Sequence, residues 1–384
     1  MSDENIKDNA NGSSYFESVA RRNVLGIEPY MPGAQRADKE AAILSANENS
    51  FGTSRAVRDA LLALLTGEAG INRYPDITCA ALRDALSRKH GFPPEWFVVG
   101  NGLDDIINIL ALTFFEEGDE VIIPSCTFGV YESGARLMGS SPALIPMADD
   151  MSIDVDAMIG SLNHRTKAIF LCSPNNPTGT VIKRGSFERL LNAAAKLGRK
   201  PLIIADHAYM DFMDDGADYL DGERFLRDNE NVVVLRTFSK VSGLAGLRVG
   251  YMIARPGIIT NMYRARAPYT VNILARLAAE IDASDDEARA FREMTVRQVR
   301  ESRRELEEFF EKNGVTYAPS QANFVFAFTD KSHDELRALA ASLAEEGIYV
   351  RTITSQNPSG LRFSIGTPEE NRRLIDAIER RAGM

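Results

Sequence analysis

The chain has 384 residues, 44% of them hydrophobic and 26% charged, with 54 acidic against 44 basic side chains and a net charge of −10. That composition is globular, and an acidic balance argues against a partner rich in phosphate such as nucleic acid. Three cysteines without metal spacing and only four histidines give no reason to expect a disulfide framework or a metal site.

Residues 1–14 are polar and lack the charged-then-apolar order of a secretory signal. No apolar run reaches the roughly 20 residues of a membrane span. The expectation is a soluble cytoplasmic protein, without membrane contact, with a loose tail over residues 1–20. The first clear elements are short apolar runs at 96–99, 121–123, 168–172, 202–205 and 232–235. Their aliphatic, β-branched character predicts strands buried on both faces, as in a parallel sheet. Helical patterns at 103–115 and 186–197 lie between them. Strand and helix in alternation predict an α/β fold with a mostly parallel sheet. Beyond residue 280 the pattern changes. A long charged helix is expected over 285–313, closed by Gly314. A strand at 324–328, a helix at 332–346, strands at 349–352 and 361–365, and a last helix from Pro368 follow. These read as a smaller α+β domain, with the long helix as connector. The length also exceeds one typical core, which favours two domains.

The segments after each strand of the first domain carry the unusual polar residues. They are Gly100-Asn101-Gly102, then Pro124 to Phe128, then Ser173-Pro174-Asn175-Asn176-Pro177-Thr178-Gly179. Asp206-His207-Ala208-Tyr209 and Thr237-Phe238-Ser239-Lys240 complete the set. Open α/β sheets bind ligands at the carboxyl ends of their strands. Glycines in the 100–102 turn let a backbone approach an anion, and the helix behind it offers free N–H groups. A lysine in a partly desolvated site has a lowered pKa and forms an imine with a carbonyl, which suits Lys240. Arg248 and Ser239 suit a phosphate. Asp206 suits either a helix cap or a catalytic carboxylate.

Taken in order, these motifs resemble the fold-type I (class I/II) pyridoxal-phosphate aminotransferases, and among them the histidinol-phosphate aminotransferases. The resemblance runs from about Pro29 to the C-terminus. It includes Ser45-Ala46-Asn47-Glu48-Asn49, Arg73-Tyr74-Pro75-Asp76, residues 236–240, residues 243–250 and Leu361-Arg362-Phe363-Ser364-Ile365-Gly366-Thr367. It implies a large cofactor domain over 50–280 and a small domain built from 21–49 with 281–384. It further implies Lys240 as Schiff-base lysine and proton shuttle, and Asp206 against the pyridinium nitrogen. Tyr209 and Asn176 would bond the phenolic oxygen, and Phe128 would stack on the ring. Asn101, Gly102, Leu103, Ser239, Arg248 and Thr237 would surround the phosphate. Tyr74 would reach that phosphate from a neighbouring subunit, which implies a homodimer with shared sites. Arg362 would bind the substrate carboxylate, and Arg351, Tyr30 and Asn323 would line the substrate pocket. The implied reaction is ping-pong amino transfer through aldimines, between an amino acid or amino phosphate and a 2-oxo acid. A decarboxylase, oxidase or lyase on the same scaffold is the alternative. A silent regulatory domain fits less well, because Lys240, Asp206 and Arg362 are all kept. A nucleotide enzyme would need a Walker-type loop, which is missing.

Two positions depart from the family pattern. His207 stands where the family usually has Glu. We favour a tolerant structural position over an added acid–base group, although imidazole titrates near neutral pH. Phe128 replaces a frequent tyrosine. A second anion site would fall to Arg351, or to Arg21 and Arg22.

Overall fold

The computed structural model describes residues 19–29, 40–67, 70–216, 218–354 and 358–382. The expected tail over 1–20 falls almost wholly outside these residues, and Tyr30 lies outside them. Strands in chain order are β1 (Ala42–Leu44), β2 (Phe97–Gly100), β3 (Glu120–Pro124), β4 (Ser141–Ile145), β5 (Thr166–Cys172) and β6 (Leu202–Asp206). They continue with β7 (Val232–Thr237), β8 (Gly250–Ile253), β9 (Tyr317–Ala318), β10 (Phe324–Phe328), β11 (Ile348–Ile353) and β12 (Gly360–Ser364).

Among the described residues, seven strands form one sheet in the order β2-β8-β7-β6-β5-β3-β4. All neighbours run parallel except β8, which is antiparallel to both β2 and β7. The apolar runs cover both faces. Val232 and Val234 pack with Leu82, Leu86, Ala275 and Ala278, from the helices Ala80–His90 and Ile273–Ser284. Val233 and Leu235 face Ile106, Ile107 and Leu110 of the helix Leu103–Phe114. Burying each such side chain contributes roughly 1.5–3 kcal/mol.

Two strands of this sheet have no counterpart in the expected elements. β4 contains a proline and sits half-exposed at the sheet edge, so its sequence, Ser-Pro-Ala-Leu-Ile, shows no buried run. β8 begins with glycine and has only four residues. The expected helix at 186–197 is observed as Arg184–Ala194.

A second, five-stranded sheet has the order β1-β11-β12-β10-β9. β1 joins it by pairing parallel to β11. The connecting helix is Asp286–Lys312, capped by the Asp285 carboxylate on two backbone N–H groups. One residue of this helix ties the two sheets together. Arg303 is fully buried, and its Nη1 donates to the carbonyls of Phe212 and Ala322, each at 3.0 Å. Its Nη2 lies 2.9 Å from the Asp214 carboxylate. The segment that follows β6 is thereby fixed to the residues that lead into β10 of the small sheet. Among the described residues no helix is long and apolar enough to cross a membrane.

Candidate active site

A cavity of about 590 Å³ opens where the carboxyl ends of the parallel strands face the small sheet. The large sheet contributes Asp206 and Tyr209 after β6, Asn176 after β5, and Thr237, Ser239 and Lys240 at the end of β7. Phe128, Leu103 and Arg248 complete that side. From the opposite side come Ser45 to Glu48 after β1, Arg351 on β11 and Arg362 on β12.

Asp206 is almost fully buried. Its Oδ2 accepts from the Tyr131 hydroxyl at 2.6 Å, and its Oδ1 accepts from the Ala208 amide at 3.0 Å. Burial pushes its pKa up to about 6, against the pull of those two donors. Near neutral pH a buried carboxylate held this way seeks a cation in the cavity.

Tyr209 presents its phenol oxygen to two amides, Asn47 Nδ2 at 3.2 Å and Asn176 Nδ2 at 3.4 Å. Both amides donate, so the phenol's own proton is left to donate. Asn176 turns its Oδ1 to Arg362 Nη1, while Arg362 Nη2 donates to the Ser45 carbonyl at 2.7 Å. The guanidinium stands 5.3 Å from the Phe324 ring centroid. Arg362 is thus held by protein groups on a strand rather than swinging free.

Lys240 places its Nζ 3.2 Å from the Ala46 carbonyl and 5.6 Å from the Tyr209 ring centroid. Burial, then the charge of Arg362, draws its pKa down to about 8, with Glu48 and Asp104 opposing. The neutral amine is the nucleophile. Capture of a small aldehyde by the cofactor-free protein, trapped with borohydride, is therefore expected to climb through about pH 8 and level off above it. A midpoint near the usual lysine value would contradict this.

The turn before the helix Leu103–Phe114 forms a second feature. Gly102 has φ +84°, and a Cβ there would lie 2.7 Å from Arg248 Nη2. Only glycine leaves this cradle open. Arg248 meets Asp104 at 3.0 Å, and the helix N-terminus carries no side-chain cap. Free N–H groups, Ser239 and a guanidinium around a Cβ-free turn form a donor set for a phosphate.

The remaining expected residues fall elsewhere. Asn101 exposes its side chain beside the cradle, and its backbone amide donates to Asp105. Tyr74 is 80% exposed and stacks on Tyr269 at 4.4 Å, in a separate surface cleft. Asn323 is buried below the cavity wall. Its Nδ2 donates to the Asn47 carbonyl at 3.1 Å, so it supports the segment after β1 rather than lining the pocket. Arg21 donates to the Leu137 carbonyl, away from the cavity. His207 is fully buried, with Nδ1 on the Ser173 carbonyl at 3.0 Å and Nε2 accepting from the Gly222 amide at 2.9 Å. Burial lowers its pKa, and both ring nitrogens serve backbone groups. The ring straps the 173–179 loop to β6 and the segment at 222. Two residues absent from the sequence-level candidates matter here. Tyr131 holds Asp206. Asn47, at φ +55° and tied twice to Ser364, holds Tyr209. Tyr131 stands in a helix rather than at a strand end, and Asn47 follows β1 of the small sheet, outside the strand ends of the large sheet where sequence reasoning looked.

The model of the family "Aminotransferase class I and II" matches residues 39–378. The histidinol-phosphate aminotransferase of Symbiobacterium thermophilum is 35% identical over 375 residues, covering 95% of this chain and 99% of that protein. The enzyme of the same name from Moorella thermoacetica is 36% identical over 368 residues, covering 93% of this chain and 92% of the relative. Among solved structures, the histidinol-phosphate aminotransferase of Sinorhizobium meliloti in complex with pyridoxal 5′-phosphate superposes with a TM-score of 0.84 at 25% identity. That match covers 95% of this chain and 98% of the other.

Proposed function

The chain belongs to the class I and II aminotransferases, and on that premise we propose which residues do the work and what kind of donor they take. The enzyme is a pyridoxal-phosphate-dependent aminotransferase with a fold-type I α/β architecture. The cavity fits the cofactor on two counts. The Gly102 cradle accepts a phosphate, and the buried Asp206 carboxylate awaits a cation.

When bound, the cofactor supplies an aldehyde carbon to carry the amino group and a protonated ring that draws electrons from the substrate Cα. In our proposal Lys240 anchors the cofactor through Nζ. Once freed by the donor amine, Nζ would be the base that takes the proton from the donor's Cα and delivers it to the cofactor's aldehyde carbon, on the far side of the nitrogen that joins them. Asp206 keeps the ring nitrogen protonated. Tyr209 and Asn176 donate to the phenolic oxygen, and Phe128 packs against the ring. Gly102, Ser239 and Arg248 hold the phosphate, with Thr237 and Leu103 at its border.

The donor is proposed to be an amino phosphate of the histidinol phosphate kind, with a 2-oxo acid as acceptor. One observation carries this. Arg351 and Arg362 are direct partners across antiparallel β11 and β12, and both stand on the cavity wall. Both guanidinium groups therefore border one space, and guanidinium forks match the oxygens of a phosphate. A dianionic group satisfies both. The names of the relatives point the same way.

A spectral screen of the purified yellow protein tests it. Histidinol phosphate is expected to convert the cofactor to its pyridoxamine form at far lower concentration than neutral amino acids. Equal conversion by neutral donors would refute the proposal. Arg351→Ala should raise KM for the phosphate donor by about 10- to 100-fold, the loss of one charged hydrogen bond.

A homodimer completes the proposal. Exposed Tyr74, in the matched Arg73-Tyr74-Pro75-Asp76 segment, would serve the partner's phosphate site. A cytoplasmic location is also proposed, supported by three buried free thiols. No observation favours the lyase, decarboxylase or oxidase alternative. His207, the residue that motivated it, is occupied by backbone groups.

A further inference from the structure

Tyr131 has no place in the roles proposed so far. It sits in the first turn of the helix Val130–Leu137 and is completely buried. Its ring stacks on Phe170 at 4.4 Å and 12°, and meets Phe128 edge-on at 5.7 Å and 83°. The surroundings are apolar, with Ile107, Ala135 and Val121 in the same cluster. Phenylalanine would fill such a space equally well. The hydroxyl is nevertheless present, and it makes a 2.6 Å bond to Asp206 Oδ2. That short distance is typical of a neutral O–H donating to a charged oxygen.

We propose that Tyr131 is a positioning residue for the cofactor, holding the Asp206 carboxylate ionised and correctly aimed at the pyridine nitrogen. This rests on Asp206 being the partner of that nitrogen. The same side chain braces Phe128, so one buried residue sets both the ring's charge partner and its stacking wall. Burial and the charge of Asp206 keep the phenol protonated, and it therefore donates. The other titratable groups that bear on Asp206 are Asp104 and Lys240, with Cys172 its partner across β5 and β6. The Ala208 amide binds the other carboxylate oxygen, so removing the phenol hydroxyl leaves Oδ2 with one partner fewer on an almost fully buried carboxylate. The carboxylate then takes up a proton more readily, and a neutral acid holds a pyridinium poorly.

The test uses holoenzyme loaded with cofactor carrying ¹⁵N in the ring, followed by NMR across pH. In the unchanged protein the nitrogen should stay protonated through neutral pH. Tyr131→Phe should move its deprotonation down by about one pH unit and weaken cofactor binding about tenfold, as for a lost bond to a charged group. Phe170→Leu removes the stacking partner and keeps the hydroxyl, so it should lower the melting temperature without moving the nitrogen titration. Asp206→Asn should abolish nitrogen protonation. If Asp206→Asn leaves the signal unmoved, the assignment of Asp206 itself fails. If Asp206→Asn moves it while Tyr131→Phe does not, or if Phe170→Leu moves it as far as Tyr131→Phe, the role proposed for Tyr131 is wrong.

Discussion

Lys240→Ala is expected to lower kcat/KM for amino transfer by at least about 10⁴-fold, because anchor and proton carrier are lost together. No other amine stands in for it. Among the described residues that line the cavity, the other cations are all guanidinium groups, Arg248, Arg351 and Arg362. Guanidinium does not give up its proton in proteins, so none of these can act as a nucleophile. Borohydride reduction followed by peptide mass analysis should find cofactor fixed at Lys240 in the unchanged protein and nowhere in the variant. The melting temperature should change little, since Nζ makes one weak bond, at 3.2 Å to the Ala46 carbonyl. A variant that retained covalently fixed cofactor would disprove the central assignment.

Asp206→Asn ranks second. The amide keeps the shape of the carboxylate, and its oxygen can still accept from Tyr131 or from Ala208. What disappears is the negative charge. Removing one preorganised electrostatic partner typically costs about 10²- to 10³-fold in rate, and we expect that range in kcat. The pH dependence follows from the sign of the shift. The Asp206 pKa is raised by burial to about 6, so its charge is present above that value and is lost as pH falls through it. In cofactor-free protein, affinity for the cofactor should therefore fall below about pH 6. In Asp206→Asn the fall should be shallower, with only the titrations of Lys240 and of the cofactor's own phosphate remaining. A variant with unchanged kcat would remove Asp206 from the mechanism.

The large sheet was readable because each central strand is a compact aliphatic run between polar turns. Val-Val-Val-Leu at 232–235 can hardly be anything else in a chain of this composition. The site residues at strand ends were readable for a related reason. Asp206, Asn176 and Lys240 lie in the polar segments that directly follow apolar strands, where ligands bind in such sheets. Tyr131 and Asn47 were not readable. Each acts through a partner distant in sequence, 75 residues away for Tyr131 with Asp206 and 162 for Asn47 with Tyr209. Nothing local in Val130-Tyr131-Glu132 distinguishes a core aromatic from one that grips a carboxylate. His207 was ambiguous for the same reason. Its two hydrogen bonds go to backbone groups of Ser173 and Gly222, which no sequence pattern reports.

The reversed strand β8 has a consequence for how this chain tolerates change in length. β7 and β8 run antiparallel, with Thr237 opposite Gly250. The chain therefore leaves the sheet and re-enters it at the same edge, and Lys240 and Arg248 ride on one closed connector. A parallel β8 would have required a crossover and delivered Arg248 to the opposite edge. Both ends of the connector are clamped, and its middle is pressed on a neighbour. A Cβ at Gly243 would meet the Gly52 carbonyl at 1.8 Å. One inserted residue between 240 and 248 could shift the lysine against the arginine by up to about 3.5 Å, more than a hydrogen bond's length. Surface loops elsewhere can lengthen at small entropic cost. This one acts as a ruler, and its length should be the least negotiable in the molecule.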